Sequence, residues 1–312
     1  MNERPNTKKT RLEVADVLSS SSRNLDTNGL LVANNLIIPE EVLLHIFHFL
    51  DHGTLTICHL VCQRWESVVK NFVWRQKAEK VVGHNLASDE HYTSWMIYYS
   101  ICIGTPFNKN LIRNHSGEKG LRADWRLPCI MGIKWQIESP PTPPLPSDPL
   151  FANGDHHCFV TSVGITWKYQ IIDLTAEGFS THLLDNLQPP IKVSEWYCCQ
   201  EAPALYLSDI ELLTSDEGKK LKFTYKAEDC TRVVTDHRTF SRIITHEDQN
   251  QWQKYEYEIK GYGRGLRKIK FIHGGKDKHI DCDENNRVLG TKMARACVKL
   301  QIPLLKRSAI SH

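Results

Sequence analysis

The sequence contains no long apolar run: nothing in its 312 residues approaches the length needed to cross a bilayer, so membrane insertion is not expected. Residues 1–17 carry no apolar signal core, and ten cysteines over this length are too few for a disulfide scaffold. The thiols are therefore read as reduced, and the chain as cytoplasmic. Charge of one sign is also missing. Lys and Arg number 39 against 36 Asp and Glu, a net +3 that offers nucleic acid no footprint. Metal-site spacing is absent too. His156, His157 and Cys158, with Cys198 and Cys199, lack a C-x-x-C or H-x-x-x-H interval, and adjacent histidines on a strand point to opposite faces. No Gly-rich loop runs into Lys-Ser or Lys-Thr; Gly261, Gly263 and Gly265 follow a strand but open a turn. No catalytic residue, metal or cofactor is assigned, and the chain is read as a non-enzyme.

What is present begins at Ile38 and ends at Trp74. Pro39 suits the first position of a helix, where its missing N–H costs nothing, and Glu40 and Glu41 place negative charge on the positive end of the dipole. Leu43, Ile46, Phe47 and Leu50 recur at helical spacing, and Asp51, His52 and Gly53 supply a turn. Leu55, Ile57, Cys58, Leu60, Val61 and Cys62 leave almost no polar side to a second helix; Trp65, Val68, Val69, Phe72 and Trp74 extend the apolar surface. A segment of roughly 40 residues cannot close a core over that much apolar area, so the surplus belongs against another protein.

Ile38-Pro39, Glu40-Glu41-Val42-Leu43, Ile46-Phe47, Phe49-Leu50-Asp51, Leu60-Val61-Cys62, Arg64-Trp65 and Trp74 together resemble the F-box pattern, in full and in order. The resemblance implies docking on a Skp-type adaptor that hangs from a cullin scaffold, and hence a subunit of an SCF-type ubiquitin ligase. The adaptor-facing residues it implies are Pro39, Leu43, Ile46, Phe47, Leu50, Leu60, Val61 and Trp65.

Around this element the chain divides into a polar tail at 1–36, read as disordered, the F-box at 37–76, and a helical linker at 77–106. From 107 to 302 the period becomes alternating. Leu221, Phe223 and Tyr225 alternate with polar residues, as do Tyr255, Tyr257 and Ile259. Further strands are expected at 133–137, 159–166, 191–197, 205–213, 269–273 and 293–300, with a tail at 303–312. Many short strands between turns point to an antiparallel β-sandwich, giving an α+β, multidomain chain. The prolines at 140, 141, 143, 144, 146 and 149 exclude a central strand and are read as a stiff loop rather than a free PxxP ligand.

Residues scattered through this part resemble the F-box-associated, or FBA, domain of the sugar-recognising F-box group. They are Asn110-Leu111-Ile112-Arg113-Asn114, Ile172-Asp173-Leu174, Glu177-Gly178-Phe179, Leu183-Leu184-Asp185, Gln188-Pro189, Trp196-Tyr197 and His273-Gly274-Gly275-Lys276-Asp277. The resemblance implies a jelly-roll-like two-sheet sandwich that, in several members, binds the inner chitobiose of high-mannose N-glycans on misfolded glycoproteins leaving the endoplasmic reticulum. A pyranose needs an aromatic platform and a few fixed polar partners. Where glycan-binding members carry an aromatic pair, this chain has Ile280 and Asp281; Glu195 replaces the usual Asp, and Ile130 the usual Asn. Phe159 alone is left as a stacking residue, so the candidate substrate site is Phe159, Glu195, Ile280 and Asp281 on the far rim of the sandwich. The expectation is a substrate receptor that keeps the fold and has weakened, lost or redirected its glycan affinity. Two alternatives remain: a binding protein or chaperone that uses the adaptor without ubiquitylation, and a glycan receptor with its platform at Trp135, Trp167 or Tyr262.

Overall fold

The computed structural model describes residues 31–303, apart from 33–35, 38, 87–90, 129–134, 152–155, 162–164, 215–233 and 278–289, together with 305 and 306. They fall into two compact units that divide between residues 103 and 104, with residues 305 and 306 belonging to the first.

The first unit opens with a short ladder, β1 (Leu31–Val32) against β2 (Leu36–Ile37), so regular structure begins inside the stretch read as a disordered tail. Helix α1 (Glu40–Phe49) starts one residue later than expected: Pro39 stays extended as its N-cap, and the two glutamates occupy the first turn. Helix α2 (His52–Cys58), by contrast, starts earlier than the turn reading allowed. Asp51 accepts hydrogen bonds from Thr54 N and Oγ1, which caps the helix and draws His52 and Gly53 into it. Helix α3 (Gln63–Val68) passes through a π-turn at Val69–Val73 into α4 (Trp74–Val82), which ends at Gly83 with φ 76°. After β3 (His91–Tyr92), α5 (Trp95–Cys102) packs on α4, with Trp74 and Tyr99 edge to face at 5.1 Å. Leu43, Phe47, Leu55, Val69, Trp74 and Ile97 are fully or almost fully buried, and form the unit's core. Helix α4 thus spans the expected boundary between F-box and linker, so the two share one core.

The second unit is the expected sandwich. Its strands are β4 (Trp135–Glu138), β5 (Cys158–Thr161), β6 (Thr166–Asp173), β7 (Ile191–Cys199), β8 (Ala204–Leu213), β9 (Val234–Ile244), β10 (Gln253–Ile259), β11 (Lys268–Asp277) and β12 (Thr291–Leu300). One sheet has the order β10-β7-β12-β5-β4 and the other β6-β11-β8-β9, with every pairing antiparallel. A last strand, β13 (Leu305–Lys306), pairs with β3 in the first unit, so the expected C-terminal tail supplies part of a ladder.

Most expected strands are present, with their ends moved by a residue or a few. The stretch 159–166 is two strands rather than one, β9 was not anticipated, and the alternation at Leu221, Phe223 and Tyr225 lies outside the described residues. The proline-rich segment forms a strap against the five-stranded sheet. Lys292 Nζ donates to Thr142 O, Trp252 Nε1 to Pro143 O and Arg295 to Pro146 O, while Asp148 accepts from Trp196 Nε1 at 2.7 Å and Lys254 Nζ at 2.9 Å. Leu145 and Trp252 pack on Cys158, Val160 and Ala294 beneath it. Three of its carbonyls are therefore occupied within the unit, as a stiff loop requires.

Candidate functional site

Helix α1 carries two apolar stripes. Leu43 and Phe47 point into the unit, Phe47 meeting Trp65 edge to face at 5.0 Å, whereas Val42, Ile46 and Phe49 recur at i, i+4 and i+7 on the side left open to solvent. Ile57 on α2 and Leu60 and Val61 in the turn before α3 are exposed as well; Phe49 and Leu60 reach 76% and 75% exposure. Arg64 pairs with Glu40 at 3.1 Å and Lys77 Nζ donates to Leu50 O, which ties α1 to the helices that follow. So large a set of exposed apolar side chains on a unit that already has a core marks an interaction surface.

This corrects the sequence-based set. Ile46, Leu60 and Val61 are exposed as expected, Pro39 is exposed beside them, and Leu50 and Trp65 are half-buried. Leu43 and Phe47 are buried and hold the unit together instead. Val42, Phe49 and Ile57 are exposed too and were not in that set; Val42 and Phe49 were legible as the second stripe of α1.

In the sandwich, Phe159 and Glu195 are both fully buried between the sheets and do not lie on an open rim. Phe159 packs against Trp125 and Trp135 at ring distances of 5.7 and 6.3 Å; Glu195 accepts a hydrogen bond from Tyr206 and sits 2.6 Å from His273 Nδ1. Both were placed on the rim by the family resemblance, which carries over a position in the sequence but not its exposure. Ile280 and Asp281, like Ile130, lie outside the described residues. Trp135 and Tyr262 are buried, the Tyr262 hydroxyl donating to Pro189 O, which leaves Trp167, half-buried beside Tyr169, as the accessible one of the three alternative platforms. Cys158 and Cys198 are buried, and burial raises both thiols, Cys198 to about 11. Among the described residues no group of three or more His, Cys, Asp or Glu could hold a metal ion, and no helix is long and apolar enough to cross a membrane.

The sandwich has two unlike ends. The chain enters and leaves at one of them, where Asn108 N donates to Leu300 O and Gln301 N to Pro190 O, both at 2.8 Å. The last residues of β5, β7, β9 and β11 and the first residues of β6, β8, β10 and β12 all lie at the other. There the two sheets are clasped together. Thr291 Oγ1, on the five-stranded sheet, donates to Leu205 O on the four-stranded one, and Thr291 N donates to Thr161 Oγ1, each at 2.8 Å. A Cβ on Gly275 would fall 2.6 Å from Thr291 Oγ1, and one on Gly290 2.2 Å from Thr161 O, so only glycine fits at either position.

Comparison with known proteins agrees with this architecture. An F-box-like family model matches residues 36–80 and a model described as the F-box associated region matches residues 102–300. F-box only protein 6 of Rattus norvegicus is 31% identical over an alignment covering 77% of this chain and 78% of its own. F-box only protein 2 of Bos taurus is 30% identical, with coverage of 77% and 76%. Among solved structures, TmCBM61 in complex with beta-1,4-galactotriose overlays with a TM-score of 0.36 and 11% identity, over 62% of this chain and 100% of that one. With the F-box associated model spanning more than half of it and an F-box-like segment ahead of the sandwich, the chain belongs to the F-box-associated family.

Proposed function

We propose that the chain is the substrate-recognition subunit of an SCF-type ubiquitin ligase, and performs no chemistry of its own. The helical unit docks on a Skp-type adaptor, and through it on a cullin, using the exposed side chains of Val42, Ile46, Phe49, Ile57, Leu60 and Val61. The observation that carries this reading is the coexistence of a closed core with six large apolar side chains in solvent. The sandwich receives the substrate at the end away from the chain's entry, where strand ends from both sheets meet. Bringing a bound protein near a loaded conjugating enzyme is catalysis by proximity, and needs affinity and placement only.

Protein-directed recognition is favoured over glycan binding, because burial removes Phe159 and Glu195 from any open sugar site. Binding of the purified chain to immobilised high-mannose glycoprotein, with free chitobiose as competitor, tests this. No chitobiose-sensitive capture is expected. Sensitive capture would place a glycan platform elsewhere and make misfolded glycoproteins the substrate class. Ubiquitylation of a captured protein by the reconstituted ligase separates a receptor from a chaperone that merely retains the adaptor.

A further inference from the structure

The interior of the sandwich buries a lysine, a histidine and a glutamate beside two tyrosines. Lys168 on β6 and His273 on β11 come from the four-stranded sheet and Glu195 on β7 from the five-stranded one, and all are fully buried. Lys168 and His273 are direct cross-strand partners. Lys168 Nζ has no hydrogen-bond partner; it stands 4.5 Å from the Trp125 ring centre and 4.7 Å from that of Trp135, with Phe159 beside it. The rings favour an ammonium, and burial disfavours one. Glu195 is held by Tyr206 and His273.

Burial drives Lys168 well down and Glu195 up to about 8, and each is opposed by the charge of the other. Glu118 also pulls Lys168 toward its charged form. The remaining groups stay neutral: burial holds His273 well below its ordinary value, and Tyr206 and Tyr255, the latter bonded to Ser208, well above theirs. With one of Lys168 and Glu195 removed, a charge on the other would have no fully buried opposite charge beside it to offset it.

We infer that Lys168 and Glu195 hold a single proton between them across the sandwich, so that the pair is electrically neutral whichever group carries it. At neutral pH the unfolded chain also holds one proton on these two groups, as a lysine ammonium beside a carboxylate. Folding therefore moves no proton, and the intact pair adds nothing to the pH dependence of stability. Removing either partner breaks that balance, with opposite signs. In Lys168→Met, Glu195 is protonated when folded and ionised when unfolded, so stability falls as pH rises. In Glu195→Gln, Lys168 is neutral when folded and charged when unfolded, so stability rises with pH. Each slope approaches about tenfold in the folding constant per pH unit.

Urea denaturation of the full chain, followed by tryptophan fluorescence between about pH 7 and 8, where free histidine is largely neutral, reads these slopes. Relative to the parent chain, the two single variants are expected to tilt in opposite directions and the double variant to run parallel to it. Slopes of the same sign, or no tilt in either variant, would overturn the inference. If Lys168→Met does not refold at about pH 8, it must recover at about pH 6, where a carboxyl with a raised value is protonated; failure at both, with no tilt in Glu195→Gln, would also overturn it.

Discussion

Asp185 takes two hydrogen bonds from the Arg267 guanidinium, at 2.8 and 2.9 Å, and a third from Gly265 N. The Arg267 bonds, with that of Gly265, hold its carboxyl down to about 2. A depressed carboxylate stabilises the fold above its unfolded value, and that stabilisation is lost as pH falls through the folded one. Asp185→Asn should therefore cost about 1 kcal/mol at neutral pH, after allowance for solvent screening, and should remove part of the acid transition below about pH 4. A pH series of urea midpoints checks both. Phe159 makes a sharper case, because a binding role and a core role predict different losses. As a core ring it should cost about 3–5 kcal/mol on substitution by Ala, seen as loss of folded sandwich rather than loss of ligand from an intact one. Neither assignment was legible from the sequence alone. Asp185 belongs to the signature that suggested the family, yet its visible work is to bind Arg267. Gln188 and Asn114 likewise spend their side chains on backbone groups.

Among the elements, β6 faces the opposite way from what side-chain type alone suggests. Its buried positions are Thr166, Lys168, Gln170 and Ile172, while Trp167, Tyr169 and Ile171 are only half-buried on the other face. A reading that sends aromatics inward inverts this strand. Of its inward polar residues Gln170 is paired: it exchanges hydrogen bonds with Arg113 N and O, both at 2.9 Å, and so behaves as a strand backbone would. The period along α1 was read correctly, but the set drawn from it mixed the buried Leu43 and Phe47 with the exposed Ile46 and left out Val42 and Phe49. By contrast β7, β8 and β12, with apolar side chains at most inward positions, came through within a few residues of their ends. The proline strap was legible as a loop, but not what holds it. Asp148→Ala removes the acceptor shared by Trp196 and Lys254, and should cost about 1–3 kcal/mol. Limited proteolysis should then cut within residues 139–150 before the rest of the sandwich. Cleavage elsewhere first would show that the strap does not depend on this anchor.

At the scale of the whole molecule, a helical unit with its own core presents apolar side chains outward, and a sandwich clasped at one end gathers strand ends from both sheets. The proposed division of labour between adaptor and substrate rests on these two features. It requires the docking face and the helical core to be separable by mutation. Leu43→Ala should destabilise the unit by about 2–5 kcal/mol, whereas Leu60→Ala should stay within about 0.5 kcal/mol of the parent. The most direct measurement is capture of a purified Skp-type adaptor by the full chain carrying Phe49→Lys and Leu60→Lys together, beside the parent and with circular dichroism on each. The account predicts an unchanged spectrum and adaptor binding at least a hundredfold weaker. A folded double variant that captures adaptor as well as the parent would contradict it.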